Sequence, residues 1–156
     1  MRAQLQKLMT IRTLRTKQRR RDYQNERNNL DALTQQMAQN TARIGEVEAA
    51  RASAGRLGSA SGETFTQTAV IDSQRQRYFH DLQLRDLKTA KLRLDRQIKL
   101  QEKKVTEAHE ALRAAEKSAE QLNTFDAELA EKEAREAELQ EELQTEMPSK
   151  PRWKQS

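Results

Sequence analysis

The chain has 156 residues, 35% of them hydrophobic and 34% charged, with a net charge of +5, 4% aromatics and no cysteine. Without cysteine, disulfides, thiolate metal sites and cysteine nucleophiles are excluded. No apolar run approaches the roughly 20 residues that cross a bilayer, and the basic stretch 1–21 lacks the apolar core of a signal peptide, so no direct membrane insertion is expected.

Both prolines, Pro148 and Pro151, lie in the C-terminal tail, so nothing before them must break a helix. Ala, Leu, Glu, Gln, Lys and Arg dominate, the mixture of long helices and coiled coils. High charge with low hydrophobicity is also the composition of disordered chains, and periodicity decides between the two. Leu5, Leu8, Ile11 and Leu14 recur every three residues. The apolar-free stretch 16–22 separates them from a heptad through Tyr23, Leu30, Met37 and Ile44, with Leu33 and Val47 at the second seam position. Glu26 and Asn40 interrupt that second position; a buried Asn fixes register at a cost in stability, and a solvated one does not. The pattern predicts helix one over about 1–54.

Residues 53–62 hold three of the four glycines and three serines, which weaken helices and favour turns. They are expected to form the tip of a hairpin. Helix two is predicted from about 64 to 147. Thr64 and Gln67 have capping-box spacing, with Ser59 or Ser61 as alternative caps. Its seam runs through Leu84, Leu87, Leu94, Ile98, Val105, Ala108, Leu112, Ala115, Ala119, Leu122 and Leu129, with Lys91, Gln101 and Asp126 as exceptions. Sustained 3–4 spacing with charges between is the signature of a coiled coil, and strand-type alternation is absent. The expected fold is all-α: a single antiparallel two-helix coiled-coil hairpin over 1–147, followed by a flexible tail at 148–156 that includes Trp153.

A turn centred near Gly58 would set Leu5 opposite Leu112 or Arg113, bring Met37 near residue 81, and leave residues beyond about 117 overhanging helix one. Residues 1–21 carry eight bases and no acid, whereas 116–147 hold eleven acids against three bases. That pairing would lay the basic stretch 88–104 beside 1–21. Positive charge at a helix N-terminus and negative charge at a C-terminus oppose the helix dipole. A local rule broken this consistently points to function, here a partner-binding end whose partner supplies the complementary charge.

No enzyme signature is present: there is no glycine-rich phosphate loop and no G-x-S-x-G. His80 and His109 lie far apart in sequence and lack convergent ligands, so metal binding is not expected. No catalytic, cofactor or metal site is therefore singled out. Tyr78 and Phe79 are adjacent, about 100° apart on a helix, so both cannot enter a two-helix seam. One should be exposed as a possible anchor for a partner. Nucleic acid is not the expected partner of Arg19, Arg20 and Arg21, because interleaved aromatics and a reading module are missing.

The opening Leu8-Met-Thr-Ile11-Arg-Thr-Leu14-Arg15, followed by a long polar helix, resembles the small stalk proteins of type III secretion systems, the injectisome central stalk of the YscO/FliJ family. The motif covers about the first fifteen residues; the size, hairpin and acidic helix end extend the likeness in architecture. The resemblance implies a non-catalytic, monomeric, cytoplasmic coupling protein at the base of the secretion apparatus. Its open end would enter the hexameric secretion ATPase, which places Arg12, Arg15, Arg19, Arg20 and Arg21 in or near that ring. The shaft or tip would contact the cytoplasmic ring of the export gate, with Tyr78 and Phe79 as candidates. Some members also bind secretion chaperones. The competing expectations are a generic coiled-coil scaffold or chaperone-binding protein that self-associates through its overhang, and a basic nucleic-acid binder.

Overall fold

Strong helix formers without an internal proline leave the backbone no reason to break, and the chain forms two helices: α1 (Arg2–Gly55) and α2 (Gln67–Glu146). The computed structural model describes residues 2–55 and 66–146. Among these there is no strand, and the two helices pack against each other in opposite directions. Gly45 is the one glycine in the body of α1; a Cβ built there meets nothing within 4 Å. Helical threonines, Thr10, Thr34, Thr89 and Thr124 among them, turn their hydroxyls onto the carbonyl four residues back, which satisfies a polar group without leaving the helix.

Thr66 starts α2. Its Oγ1 accepts the Ala69 N–H at 3.3 Å and its carbonyl accepts the Val70 N–H at 3.2 Å, the geometry of an N-cap. The cap signals at Ser59, Ser61 and Thr64, most of the 53–62 tip, and the tail with Trp153 lie outside the described residues. Ser53 and Ala54 belong to the last turns of α1.

The helix pair divides into two compact units, one of residues 22–109 and one joining the N-terminal segment through Arg21 to the segment from Glu110. In the first, Ile44, Val47 and Leu84 form a buried cluster that Leu87 packs against. Half-buried Tyr23, Leu30, Leu33 and Met37 continue the stripe on α1, and Leu94, Ile98, Val105 and Ala108 on α2. Ser73 donates to the Ala54 carbonyl at 2.7 Å near the start of the pairing. Arg51 pairs with Asp81, and Lys88 with Glu48 at 4.0 Å, along the rim.

In the second unit, Leu5, Met9, Arg12 and Thr16 turn toward α2, which offers buried Leu112 and half-buried Ala115, Ala119, Leu122 and Leu129. The Thr16 hydroxyl reaches the Ala115 carbonyl at 3.4 Å, Arg12 donates to the Ser118 hydroxyl at 2.6 Å, and Arg2 meets Glu133 at 2.9 Å.

These partners correct three expectations. Leu5 does not face Leu112 and Met37 is not level with residue 81: the pairing is displaced along α2, which begins at Gln67 rather than near 64. The reason is packing. A turn centred near Gly58 would set Ile44 level with Ser73, whereas the observed register gives it Leu84 and Leu87, and burying aliphatic side chains against each other favours that register. The overhang accordingly begins beyond Glu133 rather than near 117. Leu8, Ile11 and Leu14, whose three-residue spacing departs from the later heptad, stand off the seam that Leu5, Met9, Arg12 and Thr16 supply in their unit.

Candidate partner-binding surfaces

Register decides the electrostatics. The basic segment 2–21 lies against 110–133, which holds seven acids and three bases, and not against the basic stretch 88–104. The expected like-charge crowding is therefore replaced by partial compensation. Arg20 meets Glu116 at 3.5 Å and Arg2 meets Glu133, all four side chains about half exposed or more. Such exposed pairs contribute at most about 1 kcal/mol each. The conflict with the helix dipole persists, since α1 has no acid in its first turn and α2 no base in its last.

The five arginines singled out by the sequence do not form one cluster. Arg12 is half-buried in the seam, its guanidinium on Ser118 and its Nε without a partner among the described residues. Arg20 turns to Glu116. Arg19 is exposed. Arg15 and Arg21 project outward and make no ion pair with the described residues, and the same holds for Lys7 and Lys17. Between these four bases lies a feature whose role the sequence did not betray: Leu8, Ile11 and Leu14 are 40%, 46% and 60% exposed. A three-residue step rotates about 60° backward around a helix, so the spacing that suggested a stripe winds these side chains away from the seam. Beside them Gln6, Met9, Thr10, Thr13, Leu14 and Lys17 line a shallow groove of about 480 Å³.

In the other unit, Tyr78 and Phe79 are 67% and 64% exposed, so both aromatics face outward where one was expected to. Ile71 lies one heptad before Tyr78 and Leu82 one turn after it; both are exposed, giving an apolar patch on the outward side of α2. The seam position next to it goes to His80, which is half-buried with Nδ1 unpartnered among the described residues. His109 is exposed, its ring 5.2 Å from that of Tyr23 and tilted by 43°. No group of three or more His, Cys, Asp or Glu converges among the described residues. No described helix is long and apolar enough to cross a membrane. No family model, no curated protein and no solved structure matches the chain.

Proposed function

We propose that this chain is a non-catalytic stalk or coupling protein of a type III secretion apparatus, working in the cytoplasm at the base of the machine. It bridges the hexameric secretion ATPase and the cytoplasmic ring of the export gate, with secretion chaperones as further partners. One observation carries this: each unit presents its own exposed apolar patch, Leu8–Ile11–Leu14 among uncompensated bases and Ile71–Tyr78–Phe79–Leu82. Leu92, Leu100, Phe125, Leu139 and Leu143 are exposed as well, but it is the clustering of apolar side chains in these two patches that favours protein contacts over an incidental surface. The resemblance of the opening residues to the stalk family assigns the basic patch to the ATPase and the aromatic one to the gate. A linker of two partners needs length and stiffness, and the hydrolysis belongs to the ATPase.

The test is direct. Added to a cognate secretion ATPase, the chain should raise hydrolysis or promote hexamer assembly. Arg15→Glu with Arg21→Glu should weaken the contact in a salt-sensitive way, since neither guanidinium is spent on α2. Unaltered hydrolysis, together with no capture of the ATPase, would remove the assignment.

A further inference from the structure

Two surfaces of the second unit are complementary, and none of the described residues covers either. The first is the ridge of Leu8, Ile11 and Leu14 on α1, bordered by Lys7, Arg15, Lys17 and Arg21. The second is the end of α2. Beyond Glu133, which meets Arg2, every residue to Glu146 is exposed. This segment displays Leu139 and Leu143, 57% and 60% exposed and one turn apart on the same side, among Glu136, Glu138, Glu141, Glu142 and Glu146. None of these five carboxylates makes an ion pair with the described residues, and neither do the four bases of the ridge.

We infer that the occupant of each surface is the other one, on a second copy of this chain. Three observations converge. The charges are opposite and make no ion pair among the described residues on either side, so steering and specificity favour their meeting. Each side has aliphatic side chains that keep about half of their surface in water, which a second copy would cover. The lengths also match. The Arg2–Glu133 contact fixes where α1 starts along α2. If a two-fold axis stands at that end, each protruding segment runs parallel to the other copy's α1 from its first residues. Equal rise per residue then brings Leu139 level with the second copy's Leu8, and Leu143 level with its Arg12, one residue beyond Ile11. Glu138 comes level with Lys7, and Glu146 with Arg15. Paired with itself, the acidic segment would instead oppose carboxylate to carboxylate.

The contact is closed and reciprocal, so it makes dimers and not filaments. It is small, which puts it among weak associations, on the order of tens of micromolar. It does not depend on the stalk proposal. If both hold, the dimer is the free form, and the ATPase takes the ridge from the second copy while a single hairpin works in the machine.

Sedimentation velocity of the full chain between about 1 and 200 µM should follow a monomer–dimer equilibrium, weakening at least about tenfold as salt rises from 0.05 to 0.5 M. Leu139→Gln with Leu143→Gln should weaken it by a similar factor with helix content unchanged by circular dichroism, because more than half of each side chain is already in water. Glu138→Lys with Glu142→Lys should abolish self-pairing, and mixing that variant with Lys7→Glu/Arg15→Glu chains should restore a mixed dimer, a rescue that misfolding cannot imitate. In mixtures of wild-type-like chains carrying Ile11→Cys or Leu143→Cys alone, oxidation should link one kind to the other; the native chain has no cysteine to interfere. A chain that sediments as a monomer throughout, or a dimer indifferent to these substitutions, overturns the inference while leaving the ATPase experiment to decide the stalk separately.

Discussion

The carboxamide nitrogen of Gln101 donates to the backbone carbonyl of Glu26 at 2.8 Å and also to the Glu26 carboxylate. Each residue interrupts the apolar stripe of its own helix, and the two interruptions meet. Gln101 is the buried polar side chain of the seam. A hydrogen bond to a charged group in such a place contributes about 1.5–3 kcal/mol, and removing one partner leaves the other desolvated. Gln101→Leu alone should therefore destabilise the chain by about 1–3 kcal/mol in urea unfolding. Glu26→Leu with Gln101→Leu should recover most of that loss or exceed the native stability, as apolar replacements of buried polar pairs often do. A double-mutant cycle with coupling below about 0.3 kcal/mol would mean that the pair is incidental.

Gly45 lies in the middle of α1 with open space where a Cβ would stand. Glycine in a helix interior costs about 1 kcal/mol relative to alanine. Gly45→Ala should raise the urea midpoint by the equivalent of about 0.5–1 kcal/mol with no change in the slope, since neither burial nor register is touched. A fall in stability would reveal a contact or bend at this position that the helix geometry lacks.

Thr66 holds the first free N–H groups of α2 through its side chain and carbonyl. Thr66→Ala should cost about 1 kcal/mol, and Thr66→Asp should retain or improve stability, because a carboxylate both caps the helix and favours its dipole. Equal stability of all three chains would mean that α2 is capped from elsewhere.

The fold class was legible because one physical regularity repeats: on α2 the 3–4 spacing picks out Leu84 to Leu129, and the side chains it picks out are the ones the structure turns inward. Register was not legible. A heptad stripe can be slid by whole heptads without losing its phase, so Leu5 against Leu112 satisfied the pattern as well as the observed pairing did. What selects among registers is the match of particular residues, Ile44 and Val47 with Leu84 and Leu87, Glu26 with Gln101, Arg12 with Ser118, and these are visible only when both helices are laid side by side. The candidate site suffered from the same gap. The charges of residues 2–21 were plain, but which of Arg12, Arg15, Arg20 and Arg21 face outward depends on what α2 brings opposite them. The Leu8–Ile11–Leu14 spacing is plain in the sequence, but that it faces outward follows only from Met9 and Arg12 taking the seam.

Register can be fixed by chemistry in a chain with no native cysteine. Ile44→Cys with Leu87→Cys places two thiols in one packed cluster, and a disulfide forms only between close neighbours. It should oxidise quickly within a monomer. Met37→Cys with Asp81→Cys, the pair expected from a turn near Gly58, should not. The reverse result, scored by gel mobility before and after reduction at low protein concentration, would restore the register of a turn near Gly58 and dismantle the arrangement of charges built on the observed one.

Tyr78 and Phe79 give the sharpest separation of function from stability. About two-thirds of each side chain is in water, so truncation removes little that folding has buried. Tyr78→Ala with Phe79→Ala should leave helix content unchanged and the unfolding free energy within about 0.5 kcal/mol. If the patch they form with Ile71 and Leu82 is the anchor for the export gate, the same change should weaken capture of the isolated gate ring by at least about tenfold, the loss typical of a buried aromatic hot spot. It should leave stimulation of the ATPase intact, because that contact belongs to residues of the other unit. Tyr78→Phe keeps the ring and should bind nearly as well. Gate capture unaffected by the alanine pair, in a chain whose fold is intact, would detach the aromatic patch from the proposed partner. Loss of both activities together would instead mark the patch as a structural element of the helix pair.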